Sequence, residues 1–286
     1  AYVHTGEPWL QIMQHHNNDL TRARRYRQQY AYDPAGNLLE LGHRNLQGEA
    51  GHYTRTFSMV NGNNRLATLE QGGITYRYVY DTNGNMIREA TNRHYCWNYA
   101  DQLVRFRNKP EDAAPTVDAC YLYGADGIRV KKLVLNGAAV LKTTTYISEV
   151  FEHHTCGPEE NNTLHLMDGD TRLALWRIGS PLGASDENDP AVQYQLGDHL
   201  GNSSMAAGAN GALIHREEFT PYGETSFGGY ARKRYRYTGM ERDEESGLHY
   251  HRARYYLPVL CRWGTSDPIG VVSGANLFQY NKSNPI

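Results

Sequence analysis

The chain has no excess of charge of either sign and no long apolar run. Its 286 residues carry 29 Lys and Arg against 31 Asp and Glu, a formal net charge of -2 at pH 7. A general nucleic-acid binder needs a basic surplus to neutralise phosphates, so the balance argues against that class and predicts no nucleic-acid partner. No apolar stretch approaches the length that crosses a bilayer, so no membrane span is predicted.

Cysteine is scarce and widely spaced. The four residues of this type are Cys96, Cys120, Cys156 and Cys261, and no two of them form a CxxC pair. This spacing supports neither a zinc knuckle nor a dense disulfide framework. We expect buried free thiols instead.

Complete metal-binding and nucleophile motifs are also missing. His15 and His16 are adjacent, and on a strand they would point to opposite faces. Residues 153–156 (His-His-Thr-Cys) lack a second ligand pair and are expected to form a surface loop. Residues 168–170 (Asp-Gly-Asp) lack the other positions of a calcium loop and are expected to form a hairpin turn. There is no GxSxG nucleophile elbow, and neither a metal nor a cofactor is predicted.

Tyrosine, in contrast, is abundant. The chain has 22 Tyr against 6 Phe and 4 Trp, and its mean hydropathy is -0.69. A Tyr side chain buries its ring while its hydroxyl stays hydrated or hydrogen-bonded. This composition favours a sheet with one packed face and one face towards a polar space.

A repeated pattern of strand, Asp-x-x-Gly-Asn turn and strand runs through the first half of the chain. It is clearest at residues 30–38 and 76–86, and weaker copies occupy residues 57–63, 95–101 and 121–127. Asp and Asn side chains bond back to the turn backbone, and Gly supplies the positive φ of a tight turn. Structural turn roles are therefore predicted for the repeat aspartates, which are Asp33, Asp81, Asp101 and Asp126.

Residues 235–270 (YRYTGMERDEESGLHYHRARYYLPVLCRWGTSDPIG) alternate tyrosines with arginines. Alternation with a period of two predicts strands, and Gly239, Gly247 and Gly264 mark turns. The basic cluster before this segment is expected to be the solvated face of a strand; it comprises Arg232, Lys233, Arg234 and Arg236.

This segment resembles the core-associated region of the RHS/YD-repeat family. The resemblance rests on Tyr-x-Tyr-Thr-Gly-x-Glu-x-Asp, Gly-Leu-x-Tyr, Ala-Arg-Tyr-Tyr-x-Pro and Asp-Pro-Ile-Gly, with an Asp-His-Leu-Gly run upstream at Asp198–Gly201. Asp198 and His199 are expected to place a turn. The resemblance implies an all-β fold in which many short antiparallel strands of YD/RHS repeats spiral into part of a hollow shell, or cocoon. It divides the chain into a shell segment, residues 1–190, and a core-associated region, residues 191–286.

The resemblance also implies a site for one-time self-cleavage. In the family, a first Asp-Pro-x-Gly and a second one downstream supply two carboxylates of an aspartyl-type autoprotease, which severs a C-terminal toxin. Asp267 would be the first catalytic carboxylate, and Arg254 would bias which carboxylate stays charged. The supporting motif residues are Pro268, Gly270, Trp263, Tyr255 and Tyr256. The second Asp would fall just beyond Ile286, so the region ends in the first half of the motif.

Two positions depart from the family pattern. Leu257 stands where an Asp or a small residue often precedes Pro, and Cys261 stands where Gly usually precedes Arg-Trp. A Cys is harmless there if its φ is negative.

The implied function is a structural shell that encapsulates and delivers its own C-terminal cytotoxic domain, with at most a single turnover and no external substrate. Its partners would be that cargo, the remaining shell segments or a B-type shell subunit, and secretion or injection machinery. The protein would be secreted or injected into a target cell as a Tc toxin component, a type VI secretion effector or another polymorphic toxin. Because the chain starts at Ala1 rather than at Met, we expect a piece of a longer protein.

Two other functions stay open. A teneurin-like cell-surface adhesion or carbohydrate-binding module would share the repeats, and N-glycosylation at Asn161 or Asn202 would mark that lineage. A glycosidase would need two carboxylates in one pocket, for which Asp198, Glu217 and Glu218 are the candidates.

Overall fold

The computed structural model describes residues 25–48, 51–89, 92–109, 114–136, 139–182, 189–228 and 233–286. The interpretations of His15, His16 and Arg232 lie outside the described residues. The fold is nearly all antiparallel β-structure, as predicted, and the helical segments of the described residues are short 3₁₀ turns.

A large sheet of eighteen strands contains every repeat. Its strands are β1 (Tyr26–Tyr32), β2 (Leu38–Asn45), β3 (Tyr53–Met59), β4 (Leu66–Gln71), β5 (Ile74–Tyr80), β6 (Met86–Glu89), β7 (Arg93–Trp97), β8 (Leu103–Asn108), β9 (Val117–Tyr123), β10 (Arg129–Asn136), β11 (Ala139–Ile147), β12 (Phe151–Cys156), β13 (Glu159–Asp168), β14 (Thr171–Ile178), β15 (Val192–Gly197), β16 (Ser203–Ala207), β17 (Leu213–Phe219) and β18 (Thr225–Gly228). Each strand pairs with the next along the chain, so the sheet is a continuous meander. In the part of the chain that the structure describes, the meander stays open and does not close into a barrel.

The last described segment, residues 233–286, is called the core region here. It holds a four-stranded sheet of β19 (Glu241–Arg242), β20 (His249–His251), β21 (Arg254–Leu257) and β22 (Arg262–Trp263). Four 3₁₀ turns accompany it, at Tyr237–Gly239, Pro258–Leu260, Gly270–Ser273 and Asn281–Ser283. The large sheet includes β15 to β18, which follow residue 190, and the division of the chain at that residue stays a prediction.

The Asp-x-x-Gly-Asn turns share one geometry. In the first, the backbone N–H of Asn37 donates to Asp33 Oδ1 at 2.8 Å, and Asn37 Nδ2 donates to Asp33 Oδ2 at 2.8 Å. The turns of Asp81 and Asp198 repeat both bonds. The structural role predicted for these aspartates is confirmed, because each carboxylate satisfies two donors within its own turn.

The Asn of each turn also contacts another element. Asn276 Nδ2 of the core region donates to Asn37 Oδ1 at 2.9 Å, and the backbone N–H of Thr238 donates to Asn202 Oδ1 at 2.7 Å. The repeat turns therefore fix the core region as well as the hairpins.

The core region packs on one face of the large sheet. Strands far apart in the meander reach it: Arg55 of β3 donates to the Val259 carbonyl at 3.2 Å, and Arg172 of β14 donates to the Gly239 carbonyl at 3.0 Å. Along β3, buried Arg55 and Phe57 alternate with exposed Thr56 and Ser58. One face of the sheet is therefore packed and the other faces outwards.

Several local predictions need correction. Residues 153–156 do not form a surface loop: they belong to β12, which pairs with strands on both sides, and His154 is buried. Cys261 is buried, but Cys96, Cys120 and Cys156 are only half-buried, although all four are free thiols. Residues 168–170 form the predicted hairpin turn between β13 and β14.

The basic cluster is not a solvated face either. Lys233 and Arg236 are buried against Glu217, and Arg234 bonds Glu152, so these cations face carboxylates of the large sheet. No helix among the described residues is long and apolar enough to cross a membrane.

Candidate functional site

Arg254 and Asp267 form an ion pair at the end of the core region. Arg254 starts β21, and Asp267 follows β22 in the turn that leads to Gly270. Arg254 Nη1 lies 3.0 Å from Asp267 Oδ2, and the side chains are 18% and 13% exposed. The structure thus brings together Asp267, the predicted catalytic carboxylate, and Arg254, the residue predicted to influence its charge.

Asp267 also organises its own turn. Its Oδ1 accepts the backbone N–H of Ile269 at 3.1 Å, and its carbonyl accepts the N–H of Gly270 at 2.9 Å. Gly270 has φ +66°, a conformation that favours glycine, and Pro268 is exposed. One carboxylate oxygen is thus held by the turn while the other faces Arg254.

Trp263 supports the guanidinium of Arg254. The Arg254 Cζ atom lies 4.1 Å from the centroid of the Trp263 ring, which is a cation–π contact. His251, directly opposite Arg254 in the β20–β21 hairpin, meets the same ring edge-on with centroids 5.1 Å apart. Burial and the charge of Arg254 lower the pKa of His251 to about 3, so its imidazole is neutral. Sequence reasoning missed His251; the two-residue turn between it and Arg254 was the available signal.

Tyr255 and Tyr256 stabilise the core region, and their side chains are not part of the Arg254–Asp267 pair. Tyr255 Oη accepts a bond from Arg129 Nη1 at 3.1 Å, and Tyr256 Oη donates to the Tyr222 carbonyl at 2.8 Å. Both side chains are fully buried. Their part in the motif is to fix the strand on which Arg254 lies.

The backbone conformation of Cys261 is not the one that the sequence analysis considered harmless. Its φ is +56°, in the left-handed region, so the side chain is strained where a glycine would not be. The Sγ atom donates to the Pro258 carbonyl at 3.5 Å, and burial raises the pKa of the thiol well above its usual value.

The pair supplies one of the two carboxyl groups that the sequence analysis predicts for self-cleavage. Arg254 faces one oxygen of Asp267, and the predicted chemistry needs a second carboxyl group as the proton donor. Residues 268–286 contain no Asp or Glu, so that group has to come from another part of the protein. Among the described residues, no cluster of three His, Cys, Asp or Glu could hold a metal ion.

The three glycosidase candidates do not form a pair. Asp198 is committed to its turn, and Glu217 and Glu218 are adjacent on β17 and so point to opposite faces. Glu217 is buried and bonds Arg236, whereas Glu218 pairs with Arg216 at the surface at 2.6 Å. Burial opposes ionisation of Glu217, but Arg236 and Lys233 outweigh it, and the pKa of Glu217 is lowered.

Buried charges join the large sheet to the core region, and sequence reasoning missed them. Arg129 lies 2.6 Å from Glu241 and 2.7 Å from Asp243, and Lys132 contacts the same carboxylates at 3.1 and 2.7 Å. Burial opposes ionisation of Glu241, but Lys132 and Arg129 lower its pKa to about 2. This cluster fixes β10 against the first strand of the core region.

Comparisons with known proteins agree with this architecture. The toxin subunit YenC1 of Yersinia entomophaga is 28% identical over 292 residues, covering 94% of this chain and 29% of that protein. The toxin protein Tse5 of Pseudomonas aeruginosa is 26% identical over 312 residues, covering 90% of this chain and 23% of that protein. A crystal structure of TcdB2-TccC3-TEV superposes with a TM-score of 0.77 at 26% identity, covering 91% of this chain and 13% of that one. No protein-family model matches the chain.

The repeat turns, the meander and the core region define a segment of an RHS-repeat shell. The chain is similar to RHS/YD-repeat proteins, and its homologues are toxin components of the Tc and Rhs types. It spans less than a third of the length of these curated relatives.

Proposed function

We propose that this chain is part of a shell that encloses and delivers a C-terminal cytotoxic domain, and that Asp267 and Arg254 serve one self-cleavage that frees the cargo inside the shell. The relatives are toxin components, which supports the delivery role. The observation that carries the cleavage role is the partly buried ion pair of Arg254 and Asp267, 3.0 Å apart. The cargo, the remaining shell or a B-type subunit, and the secretion or injection machinery are proposed partners, and the protein acts after secretion or injection.

The chemistry is hydrolysis of one peptide bond. Ionised Asp267 accepts a proton from a water molecule, whose oxygen attacks the scissile carbonyl carbon. A second, protonated carboxyl group donates a hydrogen bond to the carbonyl oxygen and stabilises the charge that develops there. The tetrahedral intermediate then collapses: the C–N bond breaks, and the leaving amine takes the proton that Asp267 accepted from the water molecule. Arg254 holds the Asp267 carboxylate in place through their ion pair, and Trp263 supports the guanidinium.

The test compares variants of the natural full-length protein by gel and mass spectrometry. We expect the wild type to split a short distance beyond Ile286, Asp267→Asn to stay whole, and Arg254→Ala to split slowly or not at all. Asp168→Asn is a control, because Asp168 is an exposed hairpin residue. An Asp267→Asn protein that splits as the wild type does would reduce Asp267 to a turn residue.

An adhesion module is the alternative, and the structure does not favour it. Both sequon asparagines are buried and bonded: Asn161 Nδ2 donates to the Ser180 carbonyl at 2.8 Å, and Asn202 Nδ2 donates to Asp198 Oδ2 at 2.7 Å. A glycan on either side chain would remove these bonds. If both Asp267→Asn and the wild type stay intact, binding to glycans and cell surfaces becomes the next assay.

A further inference from the structure

A second charged cluster joins the large sheet to the core region, and it contains two histidines. Glu152 of β12 is buried and accepts bonds from Arg234 and Tyr235 of the core region. The Nε2 atoms of His154 and His165 lie 3.2 and 3.3 Å from the two oxygens of the same carboxylate. One carboxylate thus stands between two imidazoles of the sheet and two donors of the core region.

Both imidazoles are also bonded through their second ring nitrogen. His165 Nδ1 accepts a bond from Arg172 Nε at 3.0 Å, which joins its ring to β14. His154 lies 3.2 Å from Thr144 through Nδ1, and its Nε2 is 3.4 Å from Arg234. A protonated His154 would therefore face a guanidinium at close range.

The charged and titratable groups around the two imidazoles come from every neighbouring element. They are Lys142 on β11, Glu152 on β12, Arg172 on β14, and Arg234, Tyr235 and Glu241 of the core region. At neutral pH, three cations face two carboxylates, which leaves one positive charge in excess. A proton on His154 would raise that excess to two in a site with little water, where repulsion is strong.

We propose that the Glu152 cluster is an acid-sensitive latch, in which protonation of His154 releases Arg234 and Tyr235 from β12 and loosens the start of the core region. The docked state is weakened because the added charge lies on the sheet while Arg234 lies on the core region. Buried ion pairs contribute little net stability compared with apolar contacts, so such a cluster is suited to a contact that must be reversed.

The direction of the pH effect follows from the environment of His154. Burial and Arg234 lower the pKa of His154, so the docked state binds fewer protons than the released state. Its contribution to docking is therefore present above the ordinary histidine pKa, about 6.5, and is lost as the pH falls below that value. The latch is independent of self-cleavage, because it concerns only docking.

Hydrogen–deuterium exchange of residues 233–248 in the natural full-length protein tests the latch, with rates corrected for the intrinsic effect of pH. Between about pH 7.5 and about pH 5, we expect wild-type protection to fall by about tenfold or more, because protonation of His154 opposes docking in this range. His154→Gln with His165→Gln should lose most of this dependence. His153→Gln is the matched control, since His153 neighbours His154 but pairs outwards with Glu160 at 3.8 Å. If protection in the double variant falls with pH as much as it does in the wild type, the proposal is overturned.

A second variant covers the case in which the double variant does not fold. His154→Asn keeps a polar group for Thr144 and cannot be protonated, so it should lose most of the pH dependence. The wild type is decisive by itself as well: protection that is equal at both pH values refutes the latch. The Asp267→Asn protein should behave as the wild type does, so a failure of the cleavage proposal and a failure of the latch give different results.

Discussion

Arg55 and Glu224 are 169 residues apart in the sequence and form a two-bond ion pair inside the fold, at 2.7 and 2.9 Å. Arg55 lies on β3 and Glu224 precedes β18, so the pair joins early and late strands of the meander. Arg55 also donates to the Val259 carbonyl of the core region. One guanidinium thus fixes three parts of the protein, and all its partners are fully or largely buried.

Removing one member of this pair should be costly. We expect Glu224→Gln or Arg55→Met to lower the free energy of unfolding by about 3–5 kcal/mol, because the remaining group stays buried without its counter-charge. Urea denaturation monitored by tryptophan fluorescence measures the change. Glu218→Gln, which breaks the half-exposed pair with Arg216, should cost less than about 1 kcal/mol. Equal losses in the buried and surface variants would contradict this account.

The sequence predicted the features of the fold that depend on local chemistry. The Asp33 and Asp81 turns depend on only five consecutive residues, and the alternating residue types on either side of them indicate strands. Arg254 and Asp267 could be named as partners only through the resemblance to a known family. The structure then brings them within 3.0 Å because β21 and β22 are neighbours in one small sheet.

The buried charges could not be predicted in the same way. Arg234 and Arg236 would alternate with tyrosines in the same way beside water or beside a row of carboxylates. The pattern therefore could not distinguish the two, and the predicted solvated face was wrong. Arg234 and Glu152 are 82 residues apart, and Arg129 and Glu241 are 112 apart. Such contacts depend on how the large sheet packs on the core region, which no local pattern records.

The turn aspartates offer a test of the repeat geometry. Asp33→Ala should lower the free energy of unfolding by about 1–3 kcal/mol, because the buried Asn37 loses the acceptor of its backbone N–H and one acceptor of its side chain. Asp170→Ala, in an exposed hairpin turn, should change stability by less than about 0.5 kcal/mol. A loss at position 33 as small as that at position 170 would show that the turn forms without its carboxylate.

The lowered pKa of His251 predicts that the folded protein loses global stability in acid. Its pKa is about 3 in the folded protein and about 6.5 when unfolded, so its contribution is present above pH 6.5 and decreases as the pH falls towards 3. At pH 5 the loss should be about 2 kcal/mol. His251→Phe, which cannot be protonated, should remove this part of the difference between unfolding at pH 7 and at pH 5. His199→Gln changes an exposed residue and should leave the difference as in the wild type.

Cys261 tests whether backbone strain or side-chain packing decides the fit at that position. Its φ of +56° penalises any residue with a Cβ atom, and a β-branched residue most of all. Cys261→Val adds apolar volume in a buried site, yet we expect it to destabilise by about 1–3 kcal/mol. Cys261→Gly loses the buried thiol but gains about 1–2 kcal/mol from relief of the left-handed strain, so it should be close to neutral. Thermal and urea denaturation of the two variants show which of them is more stable. A Val variant more stable than the Gly variant would mean that packing outweighs the left-handed conformation at residue 261.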